Sequence, residues 1–394
     1  MIKVVITNAK RTPIGSFNGS LSSYSAAKLG SIAIKAVVDE SKIDVNLVDE
    51  VIMGNVLTAG QGQAPARQAA LFAGLPNKTE CMTINKMCGS GLKAVMLAHQ
   101  AIQCGDAEII IAGGQESMSN APYLLMNARN GYRLGNGEII DSMVKDGLWD
   151  VYNNIHMGSC AESCAKEFNF TREQLDEFAI ESYHRAIEAQ KSGKFKDEIV
   201  KVPVVQKGME TFVEADEEPA KVNFEKVPKL KPVFDKSGVV TAANASSIND
   251  GAAALLIMSE ERAKKLGLIP LVEIVAQSSS AKAPIEFTTA PADAINKVLK
   301  KAEMNLKDIE LLEINEAFAV VSLAVNKILG LDLSRVNVNG GAIALGHPIG
   351  ASGARILTTL IYEMKKQNLK YGLTSLCIGG GEASALIVKN YLTN

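Results

Sequence analysis

Residues 85 to 94, NKMCGSGLKA, set one thiol among small residues just ahead of an amphipathic run. The pattern predicts a strand-to-helix junction at Cys88, where unpaired helix N–H groups and the positive end of the helix dipole favour a thiolate. Gly89, Ser90 and Gly91 leave room beside it for a substrate. Most cysteines are buried and inert. Cys104, in mid-pattern before Gly105, fits that ordinary role, and Cys81, Cys160 and Cys164 have no special context. His347 lies in NGGAIALGHPIGASGAR, where glycine on both sides implies close approach of the backbone. A His–Cys pair would supply the nucleophile with a base. His99 and His184 sit inside helical patterns and are read as packing residues. Cys377 closes a strand immediately before IGGG, which would deliver a second thiol to the same crevice. Ends of parallel strands are where α/β sheets usually bind ligands.

The elements that must hold these groups recur. LVDEVIMGN (47 to 55) is an acidic entry into an apolar strand ending in Asn55, and KDIELLEIN (307 to 315) repeats it, ending in Asn315. SGLKAVMLAHQAI (90 to 102) has helical periodicity and leads into the strand EIIIAGG; SGARILTTLIYEM (352 to 364) leads in the same way into LTSLCIGGG. The loop of His347 therefore stands at the repeat position of the Cys88 turn. Each half reads as strands alternating with helices, the pattern of a mostly parallel sheet covered on both faces, and the two halves would pack helices together in one shared layer. The expected division is a first half from 1–118 and 242–270, an insertion from 119–241, and a second half from 271–394. The insertion is more polar, carrying TREQLDEFAIESYHRAIEAQ and the proline-bearing KVNFEKVPKLKP, and insertions on a rigid scaffold commonly carry ligand contacts.

At 394 residues with 47% hydrophobic and 5% aromatic content, the chain fits a compact aliphatic α/β protein of two or three units. Lysine plus arginine number 41 against 43 acids, so no global field would draw nucleic acid or an anionic membrane, and an anionic ligand must be met locally. Six irregularly spaced cysteines without CxxC fit neither a disulfide framework nor a zinc site, which points to reduced thiols in a cytoplasmic compartment. No apolar stretch reaches membrane-spanning length, and MIKVVITNAKRTPIG carries no targeting signal.

Together NKMCGSGLKA, AGGQESMSNAPY, IHMGSCAES, TAANASSINDGAA, INEAFA, GGAIALGHPIGASGAR and CIGGG resemble the thiolases, in the family's order over essentially the whole chain. Among thiolases the likeness is to acetyl-CoA C-acetyltransferases, and TAANAS, HMGSCAE, KVPKLK and PIEFTTAP resemble the mitochondrial acetoacetyl-CoA type. The resemblance implies a five-layer αβαβα fold with an inserted loop domain, a homotetramer, and reversible Claisen condensation of two acetyl-CoA molecules to acetoacetyl-CoA and CoA.

On that likeness Cys88 takes the acetyl group, His347 accepts its proton, and Cys377 removes a proton from the second acetyl-CoA. His347 with a water on Asn315 would form one oxyanion site, and the backbone N–H groups of Cys88 and Gly379 the other. The thioester α-carbon is a weak acid, so the developing charge needs preorganised donors. Cys377, as an acid/base, needs a pKa near its working pH. No metal or redox cofactor is required. His156 and Met157 would line the acyl and pantetheine end, Ser246 would meet the pantetheine, and Tyr183 with Lys221, Val222, Asn223 and Lys226 would approach the nucleotide. A potassium ion near Tyr183 and the carbonyls of Ala242, Ala243, Ala245 and Ile343 is also implied. HMG at 156 to 158 favours short acyl chains by resemblance.

The chain departs from the family pattern at Gln115, at Ser247, and at Glu382-Ala383 after CIGGG; Glu382 would alter the field around Cys377, with activity expected to persist. A β-ketoacyl synthase would need a second histidine where Cys377 stands, and a papain-like hydrolase does not fit the repeated α/β pattern. A non-catalytic CoA-binding member of the fold would need none of Cys88, Asn315, His347 and Cys377.

Overall fold

The computed structural model describes residues 2–206 and 208–392. Its centre is a ten-stranded sheet, nine strands in one path and the two-residue strand Gly15–Ser16 paired with Asn249 and Asp250 beside it. The first half supplies β1 (Val4–Arg11), β2 (Glu50–Gly54), β3 (Glu80–Ile84), β4 (Ile109–Ser117) and β5 (Asn249–Ser259). The second supplies β6 (Val272–Ala281), β7 (Leu311–Ile314), β8 (Tyr371–Ile378) and β9 (Glu382–Asn390). Across the sheet the order is β7-β8-β9-β6-β1-β5-β4-β2-β3. The halves join where β1 meets β6, Val5 opposite Glu273 and Ile6 opposite Val272. From that seam each half repeats the other, and Val336 bridges Leu312 where a fifth outer strand of the second half would lie.

The expected mostly parallel sheet is corrected to a mixed one. Only β2 with β3, β2 with β4 and β7 with β8 run parallel. The long inner strands pair antiparallel. The reason is local: a parallel neighbour needs a crossover element, whereas β8 turns straight back into β9 at Gly379–Gly381, with Gly380 and Gly381 at φ +94° and +91°.

Helices α1 (Ala26–Ser41) and α2 (Pro65–Phe72) cover the outer face of the first half. Helices α3 (Ser90–Cys104) and α8 (Ser352–Gln367) lie against each other between the two sets of strands. Helices α6 (Ala290–Lys301) and α7 (Ala319–Leu329) cover the second half. The stack is therefore five layers, αβαβα. The middle layer is buried on both sides, and α8 accordingly buries every residue from Ser352 to Met364. Helix α3 ends cleanly because Gly105 takes φ +82° and returns its N–H to the last turn.

Between β4 and β5 the chain leaves the sheet. Helices α4 (Met157–Phe168) and α5 (Arg172–Lys191) pack against α7 around Leu175, Ala179, Tyr183 and Val320. Helix α5 opens with a capping box in which Thr171 and Gln174 exchange hydrogen bonds. Arg11, fully buried on β1, ties this region down through Glu198 and Asp216 at 2.7 Å each.

Candidate active site

The strands and helices bring four loops to one end of the molecule. In the first, Met87 takes φ +47° and puts Cys88 on a sharp turn before Gly89 caps α3. A non-glycine residue there is uncommon and marks a constrained backbone. The turn is fixed by Ser90, whose Oγ accepts from Lys86 N–H at 2.8 Å and donates to the Met87 carbonyl at 2.6 Å. Gly89 packs closely on Ile378: a Cβ there would lie 2.3 Å from Ile378 Cδ1. That contact presses the Cys88 turn onto the end of β8, where Cys377 is buried.

The second loop carries His347, buried and held at two points. Its N–H donates to Asn249 Oδ1 at 2.8 Å, and its Nδ1 lies 2.6 Å from Ser352 Oγ. The Ser352 hydroxyl donates to the Pro348 carbonyl at 2.9 Å, so it must accept from His347, which fixes the proton on Nδ1. Nε2 is then a bare lone pair, buried and without a hydrogen-bond partner. Asn315, directly after β7, brings its amide to 3.5 Å from Nδ1, and its Oδ1 has no partner. Buried polar atoms are seldom left so. Here both unpaired atoms belong to residues that the sequence singled out.

The third and fourth loops join the cysteines. The backbone N–H groups of Gly379 and of Cys88 itself favour the Cys88 thiolate, and charge on Cys88 in turn acts on Cys377. A Cβ on Gly379 would touch Met157 Sδ at 3.9 Å and Met87 Cε at 3.9 Å, which places the start of α4 at the same crevice. Glu382 pairs with Lys86, so the carboxylate expected to bias Cys377 is matched by a cation from the Cys88 loop.

Two expectations about ionisation are overturned. Cys88 is a neutral thiol at rest: burial pushes it up to about 11, outweighing the two N–H groups, and Glu116 adds to the rise. Cys377 is driven well above the usual thiol range by burial and by the Cys88 charge instead of standing near neutrality. Burial and the Arg355 charge hold His347 down to about 3, so it too is neutral. All three groups therefore rest uncharged, ready to pass protons.

The depressed His347 has a consequence for stability. Its neutral form is favoured only in the folded protein, so its contribution is complete above the unfolded value and drains away as pH falls towards about 3. His347→Asn does not titrate there. The parent should lose about 2 kcal/mol relative to this variant between pH 7 and pH 5 in denaturant unfolding. A pH-independent difference would show that His347 is not buried as a neutral base.

The other expected contacts are spread more widely. His156 is half-buried, stacked on Phe234 at 4.7 Å, and its Nδ1 accepts from Gly158 N–H at 3.0 Å. Met157 is buried beside the Gly379 turn. Ser246 is half-buried and its N–H donates to Ala317 at 3.0 Å. Tyr183 is buried edge-on to Phe224 and is pushed up to about 12 by burial, with Glu218 and Glu316 adding to it. Tyr183 and Ile343 share one cluster against which Ala245 and Val222 pack. Ala243 is buried, while Ala242, Asn223 and Lys226 are exposed. The Lys221 ammonium is bonded to Ser16 Oγ, turned towards the first half. Cys104 is exposed at the end of α3, not a core residue, whereas Cys160 and Cys164 are buried.

Sequence reasoning missed Ser352, Asn249 and Glu116. Ser352 sits five residues after His347 in GHPIGAS, a spacing that returns one turn of chain to the imidazole. Glu116 was visible as the one acid in the small-residue strand end AGGQES.

Comparison with known proteins places the chain. Residues 4–261 match the family profile described as thiolase, N-terminal domain, and residues 268–390 match that described as thiolase, C-terminal domain. Acetyl-CoA acetyltransferase of Cupriavidus necator is 54% identical over 391 residues, covering 99% of this chain and 100% of the relative. The crystal structure of the Bacillus anthracis acetyl-CoA acetyltransferase matches with a TM-score of 0.97 at 44% identity, covering 99% of each chain. A thiolase from Ascaris suum in complex with coenzyme A matches with a TM-score of 0.93 at 45% identity, over 98% of this chain and 100% of that one.

Proposed function

The chain belongs to the thiolase family, and from that premise we propose that it is an acetyl-CoA acetyltransferase joining two acetyl-CoA molecules into acetoacetyl-CoA and CoA, reversibly, through an acetyl-Cys88 intermediate. The observation that carries this reading is the meeting of two thiols and one glycine N–H at a single crevice: the Gly379 N–H acts on Cys88, and the Cys88 charge acts on Cys377.

In the first half-reaction Cys88 Sγ attacks the thioester carbon as its proton moves to His347 Nε2. Neither group ionises alone near neutrality, so transfer and attack go together. The oxyanion is received by the Cys88 and Gly379 N–H groups, and CoA leaves with the proton that His347 returns. In the second, the Cys377 proton passes to His347 Nε2, vacated when CoA left, and the Cys377 thiolate takes a methyl proton from the next acetyl-CoA. Charge on that thioester oxygen meets the Nε2–H of His347 and a water on the open amide of Asn315. The carbanion attacks acetyl-Cys88, and collapse of the tetrahedral adduct breaks the bond to Cys88 Sγ, frees acetoacetyl-CoA and returns the His347 proton to Cys88. Run backwards, Cys377 is the acid, and its neutral resting thiol is already in the form thiolysis uses.

The chemistry asks for no metal or redox group, and CoA thioesters are the substrates. Met157 beside Gly379 supports an acyl pocket at the start of α4, with His156 and Ser246 along the pantetheine. Tyr183, Lys221, Val222, Asn223 and Lys226 would meet the nucleotide end, where the exposed lysines suit phosphate. We assign those contacts to residues 119–241 as an inserted unit between the halves 1–118 with 242–270 and 271–394. A potassium ion suits the neighbourhood of Tyr183, Ile343 and Ala245, which pack together, with Ala242 and Ala243 adjoining. Carbonyl oxygens there would hold it and it would stiffen the TAANA loop.

The chain is further read as a homotetramer in a cytoplasmic, reducing compartment. Support comes from its six free cysteines and from exposed Tyr123, Leu125, Met126, Leu134 and Ile139, an apolar arm suited to a second copy. No helix of the described residues is long and apolar enough to cross a membrane.

Thiolysis tests the substrate assignment. Acetoacetyl-CoA should be cleaved at least about 100-fold faster than a long-chain 3-ketoacyl-CoA, with potassium raising turnover. Equal rates on the two would remove the short-chain assignment, and indifference to potassium would remove the ion.

A further inference from the structure

Glu116 is a fully buried acid that neither half-reaction uses. It is the penultimate residue of β4 and accepts four hydrogen bonds. Oε1 receives Asn55 Nδ2 at 2.7 Å and Leu57 N–H at 3.2 Å; Oε2 receives Val56 N–H at 3.0 Å and Gly350 N–H at 2.9 Å. Three donors belong to the loop after β2 in the first half. The fourth belongs to the His347 loop of the second.

The internal repeat says what this place is. Gly54 pairs with Gly114 on β4 as Ile314 pairs with Ser375 on β8, so Asn55 answers to Asn315 and Glu116 to Cys377. Ser90 and Ser352 open the matching helices α3 and α8, so Gly350 answers to Cys88. The catalytic crevice thus has a twin, built from Asn55, Glu116 and Gly350. A carboxylate stands for the thiol and a glycine for the nucleophile. The twin is closed, since a Cβ on Gly350 would lie 2.6 Å from Glu116 Oε2.

We propose that Glu116 is the positioning residue of the reaction: through the twin site it pins the His347 loop of one half against the Asn55 loop of the other, and so sets His347 opposite Cys88. Gly350 lies between His347 and Ser352, the residue that orients the imidazole, so slack at Gly350 reaches Nε2. All four contacts of Glu116 are donors, which suits an ionised carboxylate and not an amide. Burial nevertheless lifts the carboxyl to about 7 against the pull of those donors.

The inference rests on His347 being the base, and the test separates the two. Glu116→Gln, Asn55→Ala and His347→Asn are assayed for thiolysis of acetoacetyl-CoA, with rates normalised to the Cys88 that can be acetylated. Glu116→Gln turns its NH2 onto at least one N–H donor; kcat should fall about 100-fold, the scale of an ångström of misplacement, while KM for CoA stays within about threefold. A loss of foldedness alone would reduce acetylatable Cys88 and leave the normalised kcat unchanged, which would overturn the proposal. Should Glu116→Gln fail to fold, Asn55→Ala, which removes one donor, should still lower normalised kcat about fivefold at constant KM. Parental kcat in Asn55→Ala in that case would overturn the proposal. If Glu116→Gln works at the parental rate while His347→Asn is dead, the clamp is wrong and the catalytic reading stands; an active His347→Asn removes the reading itself.

Discussion

Cys88→Ser should abolish turnover, lowering kcat for thiolysis of acetoacetyl-CoA on the order of 10⁴-fold or more. The serine fits, because the pocket at the head of α3 already holds small residues and the substitution removes little volume. What it lacks is an acidity within reach of the base. The Cys88 thiol, even raised to about 11, lies far below an alcohol, and His347, held down to about 3, is too weak to activate a hydroxyl in the same place. The variant should bind CoA normally, since the loss is at the reacting atom, and KM should move little. Turnover within about tenfold of the parent would mean that another nucleophile carries the acetyl group.

Cys377→Ala should separate the two half-reactions. In the proposed mechanism acetylation of Cys88 uses His347, the Cys88 N–H and the Gly379 N–H, none of which the substitution touches, so acetyl-CoA should still load the enzyme and exchange its CoA. Proton removal from the second acetyl-CoA has no other group placed for it. Losing a positioned acid/base should reduce condensation and thiolysis by about 10³-fold. Cys377 is almost fully buried, and its loss leaves a small cavity, so the melting temperature should fall only slightly. A Cys377→Ala enzyme that condenses at the parental rate would move the acid/base role elsewhere. One that cannot be acetylated would mean that the two thiols act as a unit.

Much of this site was legible in the sequence. The repeat of LVDEVIMGN in KDIELLEIN fixed the correspondence of the halves, and with it the facing of the Cys88 turn and the His347 loop. The glycines on both sides of His347 foretold close backbone approach, seen at Gly350, where a Cβ would lie 3.0 Å from the Asn55 Cα and from the Gln115 carbonyl oxygen. Strand direction was not legible, because apolar runs such as IIIAGG look the same whether their neighbours run parallel or antiparallel. Ionisation was not legible either. A helix start suggested a lowered thiol, but Cys88 lies before Gly89 with only two N–H groups near it, and desolvation outweighs them. Glu116 escaped because its meaning is relational. Only the register of β4 against β2 shows that this carboxylate occupies the place of Cys377 in the other half.

The central claim is that Cys88 carries the acetyl group and Cys377 does not. Peptide mapping by mass spectrometry of the Cys377→Ala enzyme, quenched in acid after incubation with acetyl-CoA, tests it directly. One acetyl group per chain is expected, confined to the peptide bearing NKMCGSGLKA, and none in that enzyme when Cys88 is also replaced by alanine. An acetyl group on any other residue, or full turnover with Cys88 unmodified, would contradict it.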